Sequence, residues 1–123
     1  DVAWVGGVWV PVPGGVSFGS ALGGTRDNSG VVPCIGFAKT LEHNLTLLRG
    51  LTAFHDFGLP VLLGASRKRF IGTIGGAETA LDRMPGSVAV ALQGVAQGMQ
   101  ILRVHDVVET AQAVRLWLAM ASR

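Results

Sequence analysis

The chain has 123 residues, of which 49% are hydrophobic and 15% are charged, and its formal net charge is +2. This composition indicates a folded core rather than a disordered chain, and so weak a charge gives no reason to expect a nucleic-acid partner. The single cysteine, Cys34, excludes an intramolecular disulfide, and no Cys/His cluster has the spacing of a metal site, so we expect a reducing, cytoplasmic location.

Residues 1–30 follow no regular pattern, with eight glycines, two prolines and neither lysine nor glutamate. A short strand is predicted at 8–12, where Pro11 confines it to a sheet edge. The uncharged run 2–25 is too broken by glycine and proline for a membrane helix, so we expect no membrane partner. We interpret 1–30 as an irregular Gly/Pro/Val-rich segment of unknown role. Our hypothesis is that it is a frame-shifted translation, which inspection of every reading frame of the gene would test.

Residues 31–123 alternate between strands and helices, which predicts a second, α/β domain. The predicted strands are 31–35, 60–64 and 100–105, and helices are expected after Thr40, within 66–72, from Pro85 to about Gln97, and after Asp106. The apolar face of the first helix is predicted to be Leu41, Leu45, Leu48 and Leu51. Thr40 can cap this helix, and Asp106 with Glu109 has capping-box spacing for the last one. The order β-α-β-α-β-α implies parallel strands with right-handed crossovers.

Polar and cationic side chains follow the predicted strands, and parallel α/β folds form their sites at the carboxyl ends of strands. Ser66, Arg67, Lys68 and Arg69 follow the second strand, at a helix start that attracts anions. A solvated basic turn is the alternative interpretation of this segment. For a run of cations at a strand end, we favour an anion-binding role.

The other two strand ends add further candidates. Arg103 and His105 alternate along the third strand and therefore share a face, where both could bind one anion. An arginine paired with a structural acid and a packed histidine is an equally compatible interpretation. After the first strand, Phe37 could stack on a flat ligand and Lys39 adds a cation, although an ordinary loop is favoured there. Together the three strand ends predict a cationic, anion-binding mouth.

Four segments carry a resemblance to a known family. In chain order they are IGFAKTLEHNLTLL, PVLLGASRKRFIG, RMPGSVAVAL and RVHDVVET. Together they resemble the C-terminal part of dihydropteroate synthase, a pterin-binding TIM-barrel family, and the SRK and RVHD motifs are the most specific. The resemblance implies an α/β fold in the form of a partial TIM barrel, the last three βα units of a (β/α)₈ barrel.

The resemblance also implies a reaction and its residues. This family transfers a dihydropterin-methyl group from its pyrophosphate ester to p-aminobenzoate in folate biosynthesis. The implied substrate-binding residues are Phe37, Ser66, Arg67, Lys68, Arg103 and His105. Among them Lys68, Arg103 and His105 are the implied catalytic residues, with Lys68 on the pterin ring and the other two on the pyrophosphate. Ser66 is implied to face the p-aminobenzoate carboxylate, and Phe37 to line the wall beside it.

The implied cofactor is Mg²⁺, with its protein ligand expected in a part of the barrel that these residues lack, and the implied assembly is a homodimer through the last helices. Val32 stands where the family has an aspartate that binds the amino-pyrimidine edge of the pterin, and valine cannot accept those hydrogen bonds. We therefore expect a transferase fragment that is inactive alone. Two alternatives remain open. One is a non-catalytic or split-barrel βα module that dimerises or binds anions; the other is a pterin-dependent methyltransferase relative, against which SRK and RVHD argue.

Overall fold

The computed structural model describes residues 2–5, 8–11, 35, 40–58 and 60–122. Its strands are β1 (Val2–Val5), β2 (Val8–Pro11), β3 (Leu62–Leu63) and β4 (Ile101–Val104). Its α-helices are α1 (Leu41–Arg49), α2 (Arg69–Gly75), α3 (Met84–Ala96) and α4 (Val107–Ala121), and the segments Leu51–Phe57 and Leu81–Arg83 are 3₁₀ helices. Of the predicted strand 31–35, only Ile35 lies within the described residues, where it is buried. Val32 and Phe37 lie outside them.

Strand β4 lies between neighbours of opposite direction, in a four-stranded sheet of order β2-β1-β4-β3. β3 runs parallel to β4 with Leu62 beside Ile101, as the alternating pattern predicts. β1 runs antiparallel to β4 with Val2 beside Val104, and β2 is the next antiparallel strand. The prediction of parallel strands concerned residues 31–123, and it is confirmed for the pair β3 and β4. The antiparallel strands β1 and β2 come from residues 1–30, and β1 covers the edge of β4 opposite β3. The short strand predicted at 8–12 is confirmed as β2, at the sheet edge.

Helix α1 begins where its sequence predicts, but its leucine face is shorter than predicted. The Thr40 hydroxyl caps the helix by accepting a hydrogen bond from the backbone N–H of His43, at 3.2 Å. Leu48 is buried, and Leu51 reaches the core from the 3₁₀ helix that follows. Leu41 is 37% exposed, so its predicted place on the buried face is wrong. It is the first residue of the helix, and the buried face is formed by later turns.

The core lies between the two parallel strands and the helices that follow them. Its most deeply buried large side chains include Leu51, Val61, Ile101 and Leu102. Helix α3, predicted at Pro85 to Gln97, packs closely on this layer at Gly94, where a Cβ atom would lie 2.6 Å from Cδ2 of Leu63. Helix α4 buries Ala111 and Val114 and exposes large apolar side chains at Val108, Leu116, Leu118 and Met120. Across the described ranges, no helix combines the length and apolar character needed to cross a membrane.

Candidate anion-binding site

The parallel register of β3 and β4 brings four of the six predicted site residues together. Ser66, Lys68, Arg103 and His105 line one cavity of about 140 Å³, together with Gly64 and Val104. Ser66 and Lys68 come from the loop after β3, whereas Arg103 and His105 come from the end of β4. The predicted shared face of Arg103 and His105 agrees with this arrangement. The cavity therefore combines two cations, one imidazole and one hydroxyl.

Arg103 extends across the end of the neighbouring strand. A Cβ atom added at Gly64 would lie 3.3 Å from both Nε and Nη2 of Arg103, so the guanidinium packs directly over this glycine. The flanking residues Leu102 and Val104 are buried, but Arg103 is exposed to the cavity. In the part of the chain that the structure describes, no acidic side chain forms an ion pair with Arg103. This arrangement favours a bound anion over a structural acid as the partner of Arg103.

His105 is joined to Ser66 across the gap between the two strand ends. The His105 backbone N–H donates to Oγ of Ser66 at 3.3 Å, and Nδ1 of the ring lies 3.0 Å from the same oxygen. Partial burial, followed by the positive charge of Arg67, lowers the pKa of His105 below its usual value. The ring is therefore neutral near neutral pH in the free cleft. The neutral ring can donate or accept hydrogen bonds in the cleft, and it does not add a third positive charge to those of Lys68 and Arg103.

If a multiply charged anion binds in the cleft, with inorganic pyrophosphate as the probe, we expect His105 to take up a proton. A multiply charged anion beside the ring favours the imidazolium form, so the pKa of His105 should rise from its lowered value in the free cleft. The resulting gain in affinity is fully present below the pKa of the free cleft and is lost as the pH rises through the pKa of the complex. Calorimetry in buffers of different ionisation enthalpy measures this uptake. His105→Gln is the control, since protons taken up by the anion itself are common to both proteins, and equal uptake by both would contradict the expectation.

Asp106 does not cap helix α4 with its side chain. It occupies the N-cap position, but no side-chain cap hydrogen bond forms there. Its carboxylate instead binds the guanidinium of Arg67 through Nη2–Oδ1 at 2.8 Å and Nε–Oδ2 at 3.3 Å. The capping-box prediction for Asp106 and Glu109 is therefore wrong, because a bidentate cation is a stronger partner for this carboxylate than a neutral backbone N–H. Arg67 is consequently held outside the group of cavity-lining residues.

Two residues at the start of α3 support this loop and were missed by the sequence reasoning. Arg83 donates to three backbone oxygens: Nη1 to Arg67 at 3.1 Å, Nε to Ala77 at 3.0 Å and Nη2 to Glu78 at 2.6 Å. Ser87 is buried and accepts a hydrogen bond from the backbone N–H of Arg67 at 2.8 Å. Both residues belong to the segment RMPGS, but neither periodicity nor charge clustering marks them, because their partners are backbone atoms.

The described residues do not include every predicted site residue. Phe37 falls outside them, so its predicted place beside the aminobenzoate stays a prediction. No group of three or more His, Cys, Asp and Glu side chains able to hold a metal ion occurs within the described part of the chain. These described residues by themselves therefore do not fit a resident Mg²⁺.

The part of the chain that carries the cleft resembles known proteins. Residues 31–105 match the model of a family described as "Pterin binding enzyme". The chain belongs to the pterin binding enzyme family. The matched range contains β3, β4 and all four cavity-lining candidates, so the cleft lies within the part of the chain that carries the family likeness.

Relatives within the pterin binding enzyme family are dihydropteroate synthases. The enzyme of Neisseria meningitidis serogroup B is 49% identical over 86 residues, which are 69% of this chain and 30% of that protein. The enzyme of Escherichia coli K12 is 46% identical over 84 residues, which are 68% of this chain and 29% of that protein. The chain thus spans about three tenths of the length of the curated relatives that it matches.

Solved structures of dihydropteroate synthases are also similar to this chain. Dihydropteroate synthase from Thermus thermophilus, in complex with 6HMPPP, is 44% identical with a TM-score of 0.76, over 84% of this chain and 41% of that one. The Xanthomonas albilineans enzyme with 4-aminobenzoic acid is 41% identical with a TM-score of 0.73, over 75% of this chain and 34% of that one.

Proposed function

We propose that residues 31–123 form the last three βα units of a dihydropteroate synthase barrel, and that the cleft binds the pyrophosphate of a dihydropterin ester. The observation that carries the proposal is the convergence of Lys68, Arg103, Ser66 and His105 in one cavity at the ends of two parallel strands. Barrel enzymes commonly bind phosphate groups with the loops at this end of their strands. The relatives named dihydropteroate synthase support the same assignment.

The proposed reaction breaks one bond and forms another at the pterin methyl carbon. The C–O bond to pyrophosphate breaks, and the amine of p-aminobenzoate forms a C–N bond to the same carbon and then loses a proton. Negative charge builds up on the departing pyrophosphate, so cations held beside it lower the barrier. Arg103 can provide two parallel N–H donors to this group, and Lys68 adds a second positive charge. We propose further that Lys68 contacts the pterin ring and that Ser66 faces the p-aminobenzoate carboxylate.

The substrates are proposed by analogy with the relatives whose structures hold ligands. The Thermus thermophilus protein is described in complex with 6HMPPP, and the Xanthomonas albilineans protein with 4-aminobenzoic acid and with 7,8-dihydropteroate. A dihydropterin pyrophosphate and p-aminobenzoate are therefore the proposed partners of this chain. Val32 lacks the hydrogen-bond acceptor of the family aspartate, so we propose that the pterin half of the ester contributes little affinity here.

We also propose that the protein is a homodimer and that it is cytoplasmic. A homodimer through the last helices is supported by the exposed apolar side chains of α4, among them Leu116 and Met120, which are 60% and 69% exposed. A cytoplasmic location is supported by the single cysteine.

The family match begins at residue 31, which supports a boundary between 1–30 and 31–123 and is compatible with a frame-shifted first segment. Mg²⁺ is proposed as cofactor of the whole enzyme only, since the described residues include no cluster of three or more possible ligand side chains for it.

Calorimetric titration of the 123-residue chain tests the proposed site. We expect inorganic pyrophosphate to bind with an affinity close to that of the dihydropterin pyrophosphate, because the anion site is present and the acceptor at Val32 is not. We also expect no turnover of p-aminobenzoate by these residues alone. Sodium sulfate at matched ionic strength is the control, since non-specific attraction to a +2 chain is screened by salt.

Each alternative function has its own outcome in this experiment. Failure of pyrophosphate to bind, combined with a dimer in sedimentation, would favour a non-catalytic dimerising module and would refute the anion site. Tight binding of a reduced folate in place of pyrophosphate would favour a pterin-dependent methyltransferase relative. Turnover by the chain alone would contradict our expectation that it is an inactive fragment.

A further inference from the structure

The loop Ser66–Lys68 places its two outer residues in the cleft and its middle residue outside it. Arg67, the middle residue, has a φ of 58°, and it is the one non-glycine residue in the described part of the chain with a positive φ. The left-handed region is disfavoured for a residue with a Cβ atom, so such a residue persists where its surroundings hold it. The conformation at Arg67 turns the chain between Ser66 and Lys68, and hence fixes how these two side chains enter the cavity.

Arg67 is held at three points by groups that lie outside the cavity. Its backbone N–H donates to Oγ of Ser87 at 2.8 Å, and its backbone oxygen accepts from Nη1 of Arg83 at 3.1 Å. Its guanidinium is bound by both carboxylate oxygens of Asp106, at 2.8 and 3.3 Å. These groups come from the start of α3 and the start of α4, so both helices hold this one residue.

Two of the three residues that hold Arg67 have further partners of their own. The Ser87 hydroxyl donates to the backbone oxygen of Arg83 at 2.9 Å, and Ser87 is 4% exposed. Arg83 also binds the backbone oxygens of Ala77 and Glu78, which anchor the segment between α2 and α3. Ser87 and Arg83 therefore each have partners besides Arg67, which is what a supporting shell needs if it is to orient neighbouring ligands.

We propose that Arg67 is a positioning residue rather than an anion ligand, and that Asp106, Arg83 and Ser87 set the affinity of the cleft for anions without touching them. This inference rests on the proposed function only in taking pyrophosphate as the anion of the cleft. The proposal predicts an effect of Asp106 on anion affinity that is opposite to the effect of its charge alone. Asp106 is an acid close to an anion site, yet its carboxylate strengthens anion binding, because it holds Ser66 and Lys68 in place through Arg67.

The sign of the effect of Asp106→Asn separates positioning from direct binding. If Arg67 were an anion ligand, loss of the carboxylate would release its guanidinium and remove a repulsive charge, so pyrophosphate would bind more tightly. If Arg67 positions the loop, the same variant loses its bidentate anchor and should bind pyrophosphate about tenfold more weakly. Titration calorimetry well below the melting temperature of each variant measures the difference, with circular dichroism to verify the fold. Asp106→Glu, which keeps a carboxylate, should recover part of the loss.

Two further variants complete the design. Glu109 is a nearby acid whose negative charge, after the hydrogen bond and charge of Asp106, also raises the pKa of Arg67. Glu109→Gln removes the same charge without removing the anchor, and it should bind pyrophosphate at least as tightly as the wild type. Ser87→Ala removes the acceptor for the Arg67 backbone and should also weaken binding, whereas direct binding by the Arg67 side chain predicts no change. Ser87→Ala decides the matter if Asp106→Asn does not fold.

The outcomes distinguish this inference from the proposed function. If the wild type binds pyrophosphate and Asp106→Asn binds it equally or more tightly, the positioning role is refuted and the anion site stands. If the wild type does not bind pyrophosphate, the anion site is refuted, and the positioning role is refuted with it.

Discussion

Arg103→Ala is expected to weaken pyrophosphate binding about a hundredfold or more, since two charge-assisted hydrogen bonds contribute roughly 1.5–3 kcal/mol each. The guanidinium packs over Gly64 and faces the cavity shared with Lys68 and His105, and no ion pair with an acid is found for it among the described residues. Alanine removes both donors and the charge and leaves nothing in the cavity to replace them. Calorimetric titration with inorganic pyrophosphate at fixed ionic strength measures the loss.

Two matched variants show whether the loss belongs to this site. Arg115 is exposed on α4 and is not a lining residue of the cavity, so Arg115→Ala removes an equal charge and should leave the affinity nearly unchanged. Arg103→Lys keeps the charge but loses the paired donors, and should bind with intermediate affinity. An affinity unchanged in Arg103→Ala would remove this residue from the site.

Leu102→Ala is expected to lower the free energy of unfolding by about 2–5 kcal/mol. Leu102 is 1% exposed, and its Cδ2 atom lies 3.4 Å from where a Cβ of Gly94 would be, so it fills the contact between β4 and α3. Truncation would leave a cavity that cannot close easily, because the glycine on the facing helix has no side chain to move into it. Such a loss is a large part of the stability of a small domain, which is typically about 5–15 kcal/mol in total.

Chemical denaturation followed by circular dichroism measures this change. Leu81→Ala is the control, because Leu81 is 72% exposed outside α4 and its truncation should alter the free energy of unfolding by no more than about 0.5 kcal/mol. Equal effects of the two substitutions would show that β4 and α3 do not form the cooperative core. Leu102→Ala should also weaken pyrophosphate binding if measured near its melting temperature, since the neighbouring Arg103 depends on an intact strand.

The sequence predicts well those features that depend on local patterns. The runs 60–64 and 100–105 form the parallel pair β3 and β4, in which every residue except Arg103 is buried, as expected for largely apolar parallel strands. Thr40 predicts the start of α1 because a cap is formed within one turn of the chain. Once two parallel strands are recognised, the grouping of Arg103 and His105 with the loop after β3 follows from topology alone.

The features that the sequence did not predict depend on long-range competition between partners. Asp106 has ideal local spacing for a cap, but the guanidinium of Arg67, 39 positions earlier, competes successfully for its carboxylate. Arg83 binds backbone oxygens, which every residue carries, so no pattern of side chains reveals its role. The pairing of β1 with β4 likewise depends on an available edge of β4, which cannot be seen in residues 1–11 themselves.

Partners in the parallel strand pair and partners in the cleft are separated by the same number of residues along the chain. Leu62 lies beside Ile101, Ser66 bonds to His105 and Arg67 bonds to Asp106, each pair 39 positions apart. The register of the two parallel strands therefore also sets how the two sides of the cleft are aligned. Insertions or deletions in the helical connection between the loop after β3 and the start of β4 would change this separation of 39 positions, but they would leave the cleft intact. A single residue inserted between Leu63 and Ser66 would instead shift one side of the cleft against the other, so this short stretch should tolerate no change in length.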